Sequence, residues 1–558
     1  MTTLKKDSLL KGTLILALAA LVARMLGMFQ KIPLDYILDA EGQYAFLAAN
    51  NIYLLLLVIA TAGFPSAISK MVSERMETGR YEEAKRIYKA SLVFGAVSGL
   101  LLSSLLYFLA PMYATDVVKK ESITLAVQAI APALILFPII AMMRGYFQGR
   151  QMMSAGGISQ IVEQFARVII GLGLGILFLS LGYSDTVSAA AVTFGSVFGS
   201  IAAFAVMVYY ARKLKKQDAR LAVHSSAEAR AALQPNLPYA TNSSMKLKFR
   251  AIYSEILKMS IPALITSMTI NLVYMFDTSF FISITEQVYT DERATEAFAA
   301  LGTKAQSLAG IPPILAIALG SSIIPIVAAA FARKDQAEVN KQTSMVLKIV
   351  CLTGVPVALF LTASAYSVTG MLFASPTGYE TVAMLCAGTI LQITMMTSNS
   401  ILYGMGKQKQ TMVNTIIGLI GKIVFSTLCG YYFGVAGFII GSTICFLIVT
   451  LLNLRLIKRD VTLHVMGKKW IPYLGAVVVS AAACWGAEYV MLNITEGIAE
   501  KLSYLLTVLV SGSILCAIYG ILLLKLNIIT AQDVEALPGK LRGPMRKVMR
   551  VLRAGQSG

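Results

Sequence analysis

Apolar residues along this chain come in long runs separated by short polar segments. A helix that crosses a bilayer needs about 20 consecutive, mostly apolar residues. Fourteen stretches qualify: 9–34, 43–67, 88–114, 122–148, 156–182, 186–211, 251–285, 298–330, 342–370, 377–405, 410–434, 435–456, 470–494 and 502–525. Several are longer than a single crossing requires, and Pro262, Pro312, Pro313 and Pro325 lie inside them. They predict tilted, kinked or partly unwound helices rather than straight rods. The predicted fold class is an all-α polytopic membrane protein of fourteen transmembrane helices.

Composition agrees with the pattern. The 558 residues are 57% apolar and 14% charged, with mean hydropathy +0.71, against about 45–50% and about 25% for soluble domains. Two His and six Cys without regular spacing argue against a structural zinc or iron–sulfur site, which needs several such ligands converging on one point. All six cysteines (Cys351, Cys386, Cys429, Cys445, Cys484, Cys516) lie in apolar stretches of the second half, where thiols pack as small hydrophobes. The apolar run after Lys11 continues past Arg24 and thirteen more follow, so it reads as a first span and not a signal peptide.

The net charge of +19 carries the topology. Inner loops hold the excess Lys and Arg, and with the N-terminus inside most of the 48 basic residues fall in inner segments. The outer loops then hold only Lys119, Lys120, Arg293 and Lys501, beside acids such as Asp35, Asp39, Glu41, Asp291, Glu292 and Glu296. Both termini are therefore expected to be cytoplasmic. The charge is a topology signal and implies no nucleic-acid partner. The basic segments 212–250 and 540–553 could also rest on anionic membrane lipids, at about 1 kcal/mol per basic residue near the surface.

The halves repeat. RGYFQGRQ from Arg144 matches ILYGMGKQ from Ile401, aligning Tyr146, Gly149, Arg150 and Gln151 with Tyr403, Gly406, Lys407 and Gln408. Pro65, closing span two, matches Pro325, closing span eight, at nearly the same offset. Both copies start inside, so they form parallel repeats, a design in which substrates bind between the halves. The expected domains are an N-terminal lobe (1–211), a basic linker (212–250), a C-terminal lobe (251–458), two further helices (459–526) and a basic tail (527–558).

Charges within the spans are the candidate chemistry, because a charge at the bilayer centre costs at least about 2.5–3.5 kcal/mol on insertion scales. Arg24 stands about fifteen residues into span one, roughly 22 Å at about 1.5 Å per residue, and is a candidate cavity residue. Lys31, two turns on, could line the cavity or reach the outer interface, and Lys304 stands at similar depth. Lys422 lacks an acid on its own helix. Asp277 is the acid well inside spans seven to twelve, a candidate for cation coupling or charge pairing, with Asn271 and Asn414 as oxygen donors. Glu163 and Arg167 are spaced i,i+4 and read as a structural pair. Arg144, Arg150, Lys258 and Lys348 lie near the inner face, where snorkelling suffices. Bases outnumber acids, so a cavity lined by Arg24, Lys31, Lys304 and Lys422 prefers an anion, and a pyrophosphate group fits the guanidinium fork and the mobile ammonium.

ARMLGMFQKIPL in span one, TAGFPSAISKMVSE closing span two, RGYFQGRQMM with SQIVEQFARVI at spans four and five, and SLAGIPPILAIALGSSIIP in span eight resemble the multidrug/oligosaccharidyl-lipid/polysaccharide exporter superfamily. Within it the chain is similar to MurJ-type lipid II flippases and the stage V sporulation protein B group. The resemblance implies fourteen helices, two six-helix lobes around a cationic cavity, and helices thirteen and fourteen bordering a groove for the polyprenyl tail. Arg24 and Lys31 match basic positions of the family's first span. The second-span basic position is apolar here, and Lys304 lies about one turn from the family's span-eight arginine. Asp277 and Asn414 resemble parts of a sodium site of some members, whose second acid is here Gly418.

The expected function is transport, not catalysis: alternating-access flipping of undecaprenyl-pyrophosphate-linked peptidoglycan precursor across the bacterial cytoplasmic membrane, within cell-wall biogenesis and beside cell-wall synthesis proteins. No P-loop is present in the sequence, and no cofactor is implied beyond Na+ or H+ coupling. The alternatives are a flippase for another polyprenyl-linked glycan, a multidrug or cation antiporter of the same superfamily, and a non-transporting scaffold.

Overall fold

A computed structural model describes residues 9–61, 63–231, 252–254, 256, 261 and 264–529. Every regular element among them is helical. By contact the chain forms two compact units, Met1–Ser283 and Ile284–Gly558.

The first unit contains α1 (Leu9–Phe29), α2 (Lys31–Ile37), α3 (Ala40–Thr61), α4 (Phe64–Glu77), α5 (Tyr81–Met112), α6 (Thr124–Ile130), α7 (Ala133–Gly149), α8 (Met153–Ser180) and α9 (Asp185–Ala231). It also takes most of α10 (Thr269–Thr285). The second unit holds α11 (Asp291–Ala299), α12 (Gln306–Ala309), α13 (Pro312–Ala332), α14 (Gln336–Ala363), α15 (Ala365–Leu372), α16 (Tyr379–Gly404), α17 (Gln408–Phe433), α18 (Val435–Ile457), α19 (Trp470–Ile494) and α20 (Glu500–Lys525).

Eleven helices among the described residues are long and apolar enough to cross a membrane, which makes this a multi-pass membrane protein. They correspond to expected spans two to six and nine to fourteen. Span one divides into α1 and α2, because Pro33 has no N–H to give the Phe29 carbonyl. Span seven runs partly outside the described residues, as do Pro262 and Lys258. Span eight is broken ahead of Pro312 and Pro313, where Ile311 N–H donates to Leu308 O (3.0 Å) and Ile314 N–H to Ile311 O (3.1 Å), the tighter i to i−3 pattern. The basic segment expected as a linker begins as helix: α9 continues to Ala231 through LKKQDARLAVHSSAEARA, rich in the helix formers Ala, Lys, Arg and Glu. Its remainder, like the tail beyond 529, lies outside the described residues.

The repeat recurs in contacts inside each unit. A Cβ on Gly145 of α7 would stand 2.8 Å from Pro65 Cα of α4, and one on Gly404 of α16 would stand 2.9 Å from Ile324 O of α13. Arg150, in the turn before α8, grips Asp218 on α9 with both terminal nitrogens (2.6 and 2.7 Å). Lys407, before α17, pairs with Asp460 just beyond α18. Burial works against the Arg150 charge, but the hydrogen bonds it donates to Asp218 outweigh that and hold the guanidinium above its ordinary value.

In each unit one hairpin is packed backbone to backbone. A Cβ on Gly199 of α9 would lie 2.9 Å from both Arg167 Cβ and Glu163 O of α8, and one on Gly195 would lie 2.7 Å from Gly171 N. In the second unit Gly441 of α18 would meet Ser426 N of α17 at 2.8 Å, and Gly437 would run into the Cys429–Gly430 peptide. Such stripes of small residues four apart let membrane helices approach closely.

The last two helices hold α15 at both poles. Ser367 N–H at its start donates to the buried Glu488 of α19 (2.9 Å), and Lys501 of α20 donates to the Gly370 carbonyl (2.7 Å) and the Phe373 carbonyl at its end. An acid at the N-terminus and a base at the C-terminus match the helix dipole. Gly370 has no room for a side chain, since a Cβ would press on the Tyr504 ring.

Candidate functional site

Glu163 and Arg167 lie where α8 presses on the α9 backbone, and their side chains reach α7, α3 and the turn after α1. Both side chains are buried, at 3% and 6% exposure. They do not pair with each other as the spacing suggests. Arg144 of α7 takes Glu163 instead, Nη2 donating to Oε2 at 2.7 Å while Nε donates to Ser159 Oγ at 2.8 Å. Arg144 sits at the edge of its span in sequence, but its long side chain reaches inward, so snorkelling does not describe it. Arg167 Nη2 donates to Asn50 Oδ1 (3.3 Å) and Gln30 Oε1 (3.5 Å), and its guanidinium carbon stands 5.6 Å from the Tyr53 ring centre. A buried polar cluster thus joins three helices of the first unit, α3, α7 and α8, and the turn at Gln30.

Lys31, next to Gln30, is half-buried and close enough to Arg167 for the two charges to interact. Arg24 lies on α1, and its side chain is outside the described ones. Asp277 of α10 is buried at 4% exposure. Its neighbour Thr278 accepts from Asn51 Nδ2 through Oγ1 (2.8 Å) and from the Tyr44 hydroxyl through its carbonyl (3.2 Å). Asn271 is half-buried on the same helix, but six residues at about 100° each put it roughly 240° around the axis from Asp277. The two do not share a face.

The second unit places its three candidates apart. Lys304, 7% exposed, donates to the carbonyls of Ser375 (3.1 Å) and Thr377 (3.2 Å). Lys422, 1% exposed, donates to Phe438 O (3.0 Å) and Ser442 Oγ (2.8 Å) across the tight α17–α18 hairpin. Asn414 donates to Asn453 Oδ1 (2.9 Å), and Asn453 donates on to Ser398 Oγ (3.0 Å) and Asn399 Oδ1 (2.6 Å), a network of neutral groups. Sequence reasoning left out Gln30, Asn50, Tyr53 and Glu488. For Glu488 the signal was available, an acid inside span thirteen; for the others only the fold brings them to Arg167.

Chemically, the cluster in the first unit holds two guanidinium groups, one paired with a carboxylate and the other set against neutral amides. Residues 9–331 match the polysaccharide biosynthesis protein family. The chain is 26% identical over 467 residues to the lipid II flippase MurJ of Bacillus subtilis (strain 168), covering 81% of this chain and 83% of that one. It is 22% identical to the stage V sporulation protein B of the same organism, covering 96% and 98%. Among solved structures, a lipid II flippase MurJ in an inward closed conformation matches with TM-score 0.65 at 14% identity, covering 91% of this chain and 99% of that one. An inward-facing multidrug resistance MATE transporter matches with TM-score 0.60 at 12% identity, covering 78% and 94%. These structural likenesses establish the fold shared by the superfamily.

Proposed function

Since the chain belongs to the polysaccharide biosynthesis protein family, we propose that it is a flippase that moves undecaprenyl-pyrophosphate-linked peptidoglycan precursor, lipid II, from the inner to the outer leaflet of the bacterial cytoplasmic membrane. The observation that carries this reading is the similarity to a lipid II flippase over four fifths of both chains. The basic excess inside the first unit supports it. Arg24 and Lys31 are the residues assigned to the pyrophosphate, bound when the protein opens inward and released when outward opening rehydrates them. Directionality requires that the two states differ in affinity, and a cation or proton at Asp277 is the proposed bias. Lys304 and Lys422 must leave the acceptors that hold them before either can meet a phosphate, so they rank behind Arg24 and Lys31.

The test is rescue of bacteria depleted of their own lipid II flippase, comparing the native chain with Arg24→Ala, Lys31→Ala and Lys304→Ala at equal membrane expression. Rescue by the native chain and its loss in Arg24→Ala and Lys31→Ala is the expected result. Rescue by every variant would remove the assigned site, and no rescue by a well-expressed native chain would remove lipid II as the substrate. The match to the polysaccharide biosynthesis protein family favours, as second reading, a flippase for another polyprenyl-linked glycan.

A further inference from the structure

Two guanidinium groups and one carboxylate meet inside the first unit, and the carboxylate is already taken. The Arg144–Glu163 bond, at 2.7 Å, has the length of a charge-assisted pair. Arg167, buried to the same depth, receives only neutral acceptors, at 3.3 Å from Asn50 and 3.5 Å from Gln30, beyond the ordinary range of about 2.7–3.2 Å. A guanidinium has five N–H donors on three nitrogens; both amide contacts of Arg167 leave from Nη2, and its other neighbour is the neutral Tyr53, whose ring centre stands 5.6 Å from the guanidinium carbon. A charge at membrane depth is costly unless it is paired or serves a ligand, and two long amide contacts compensate little of that cost. Glu163, one turn away on the same helix, is in reach for an i,i+4 pair but is held by a base from α7.

We propose that Arg167 is an anion-binding residue, placed to take the phosphate oxygens of a pyrophosphate group, with Gln30 and Asn50 as neutral placeholders that the ligand displaces. That the pyrophosphate is the one on a polyprenyl lipid rests on the flippase reading above. Arg144 is a positioning residue in this scheme: by holding Glu163 it keeps the carboxylate off Arg167. Gly199 supports the arrangement from behind, because the α9 backbone pressed on Arg167 Cβ leaves the side chain to extend toward α1 and α3.

The scheme has an asymmetric consequence. Removing Arg144, which touches no ligand, releases Glu163 to neutralise Arg167 and so weakens anion binding. Removing Glu163 does not. The experiment measures binding of undecaprenyl pyrophosphate, undecaprenol and inorganic pyrophosphate to the purified full-length chain in detergent at low salt, by native mass spectrometry. Arg167→Gln and Arg144→Gln are expected to weaken undecaprenyl pyrophosphate binding by about tenfold or more, the scale of one charged hydrogen bond. Glu163→Gln is expected to bind at least as well as the native chain, and undecaprenol to bind all forms alike. Thermal melting checks each variant, and if Arg167→Gln does not fold, the opposite responses of Arg144→Gln and Glu163→Gln decide. Native-like binding by both arginine variants would overturn the assignment while leaving the flippase reading in place. Arg167-dependent binding of inorganic pyrophosphate without binding of the lipid would keep the anion site and remove the lipid as its ligand. Binding of neither probe by the native chain would overturn the inference.

Discussion

Replacing Glu488 asks whether the last two helices are fastened to the second unit by charge as well as by shape. The Glu488 carboxylate accepts the Ser367 N–H at 2.9 Å, at the start of α15. Glu488→Ala leaves that buried donor unsatisfied, at a cost of about 1–3 kcal/mol, and removes a favourable interaction with the helix dipole of about 0.3–1 kcal/mol. A loss of about 2 kcal/mol raises the population in which the α19–α20 hairpin opens by about 30-fold, at about 1.4 kcal/mol per factor of ten. Cys484, one turn before Glu488, is a suitable reporter, since it is fully buried with its Sγ 3.3 Å from Ser364 Oγ. The assay is the rate of maleimide labelling at Cys484 in a Cys516→Ser background, which removes the exposed thiol, with mass spectrometry locating the label. Glu488→Gln keeps an acceptor and loses only the charge, so its rate should rise by about two- to fivefold. Native labelling rates in both variants would refute the reasoning, and equal increases in both would show that the charge itself contributes and the acceptor does not.

Gly195→Ala should lower the melting temperature, by an overpacking cost of about 1–3 kcal/mol, because its new Cβ meets backbone atoms of Gly171 and Arg167 that cannot move aside. Gly173→Ala, with open space around it, should leave stability unchanged or raise it by up to about 1 kcal/mol, and equal melting of the two would contradict the tight hairpin. Lys422→Met should preserve both folding and rescue, since Ser442 Oγ still donates to Phe438 O at 3.0 Å after the ammonium is gone and a swap of similar volume costs less than about 1.5 kcal/mol. A folded Lys422→Met protein that fails to transport would return Lys422 to the substrate site.

Hydropathy made the helical membrane fold legible, and the matching motifs exposed a duplication in which α7 meets α4 and α16 meets α13 through glycines, Gly145 and Gly404, that stand two residues out of register in the motif alignment. Side-chain partners were less accessible to sequence. The i,i+4 spacing that paired Glu163 with Arg167 carries no information about α7, which supplies Arg144 from another part of the chain. Lys304 and Lys422 looked unpaired because their acceptors are mainly main-chain carbonyls, which every residue possesses and no pattern marks. The separation of Asn271 from Asp277, by contrast, was computable from helical periodicity alone. Linear depth misjudged Arg144 for a related reason: a side chain with a long reach belongs to the environment of its head group, not of its Cα.

The paired glycines of the two hairpins also determine what can serve as a ruler in this protein. Where backbones touch with no room for a methyl group, one helix cannot slide or rotate against its neighbour without collision, so α8 with α9, and α17 with α18, each behave as a single girder. Spectroscopic probes placed within either girder should report a constant distance through the whole working cycle. A changed distance between a girder and some other helix of its own unit can then be credited to that helix, which turns two stripes of the smallest residue into fixed benchmarks for measuring motion.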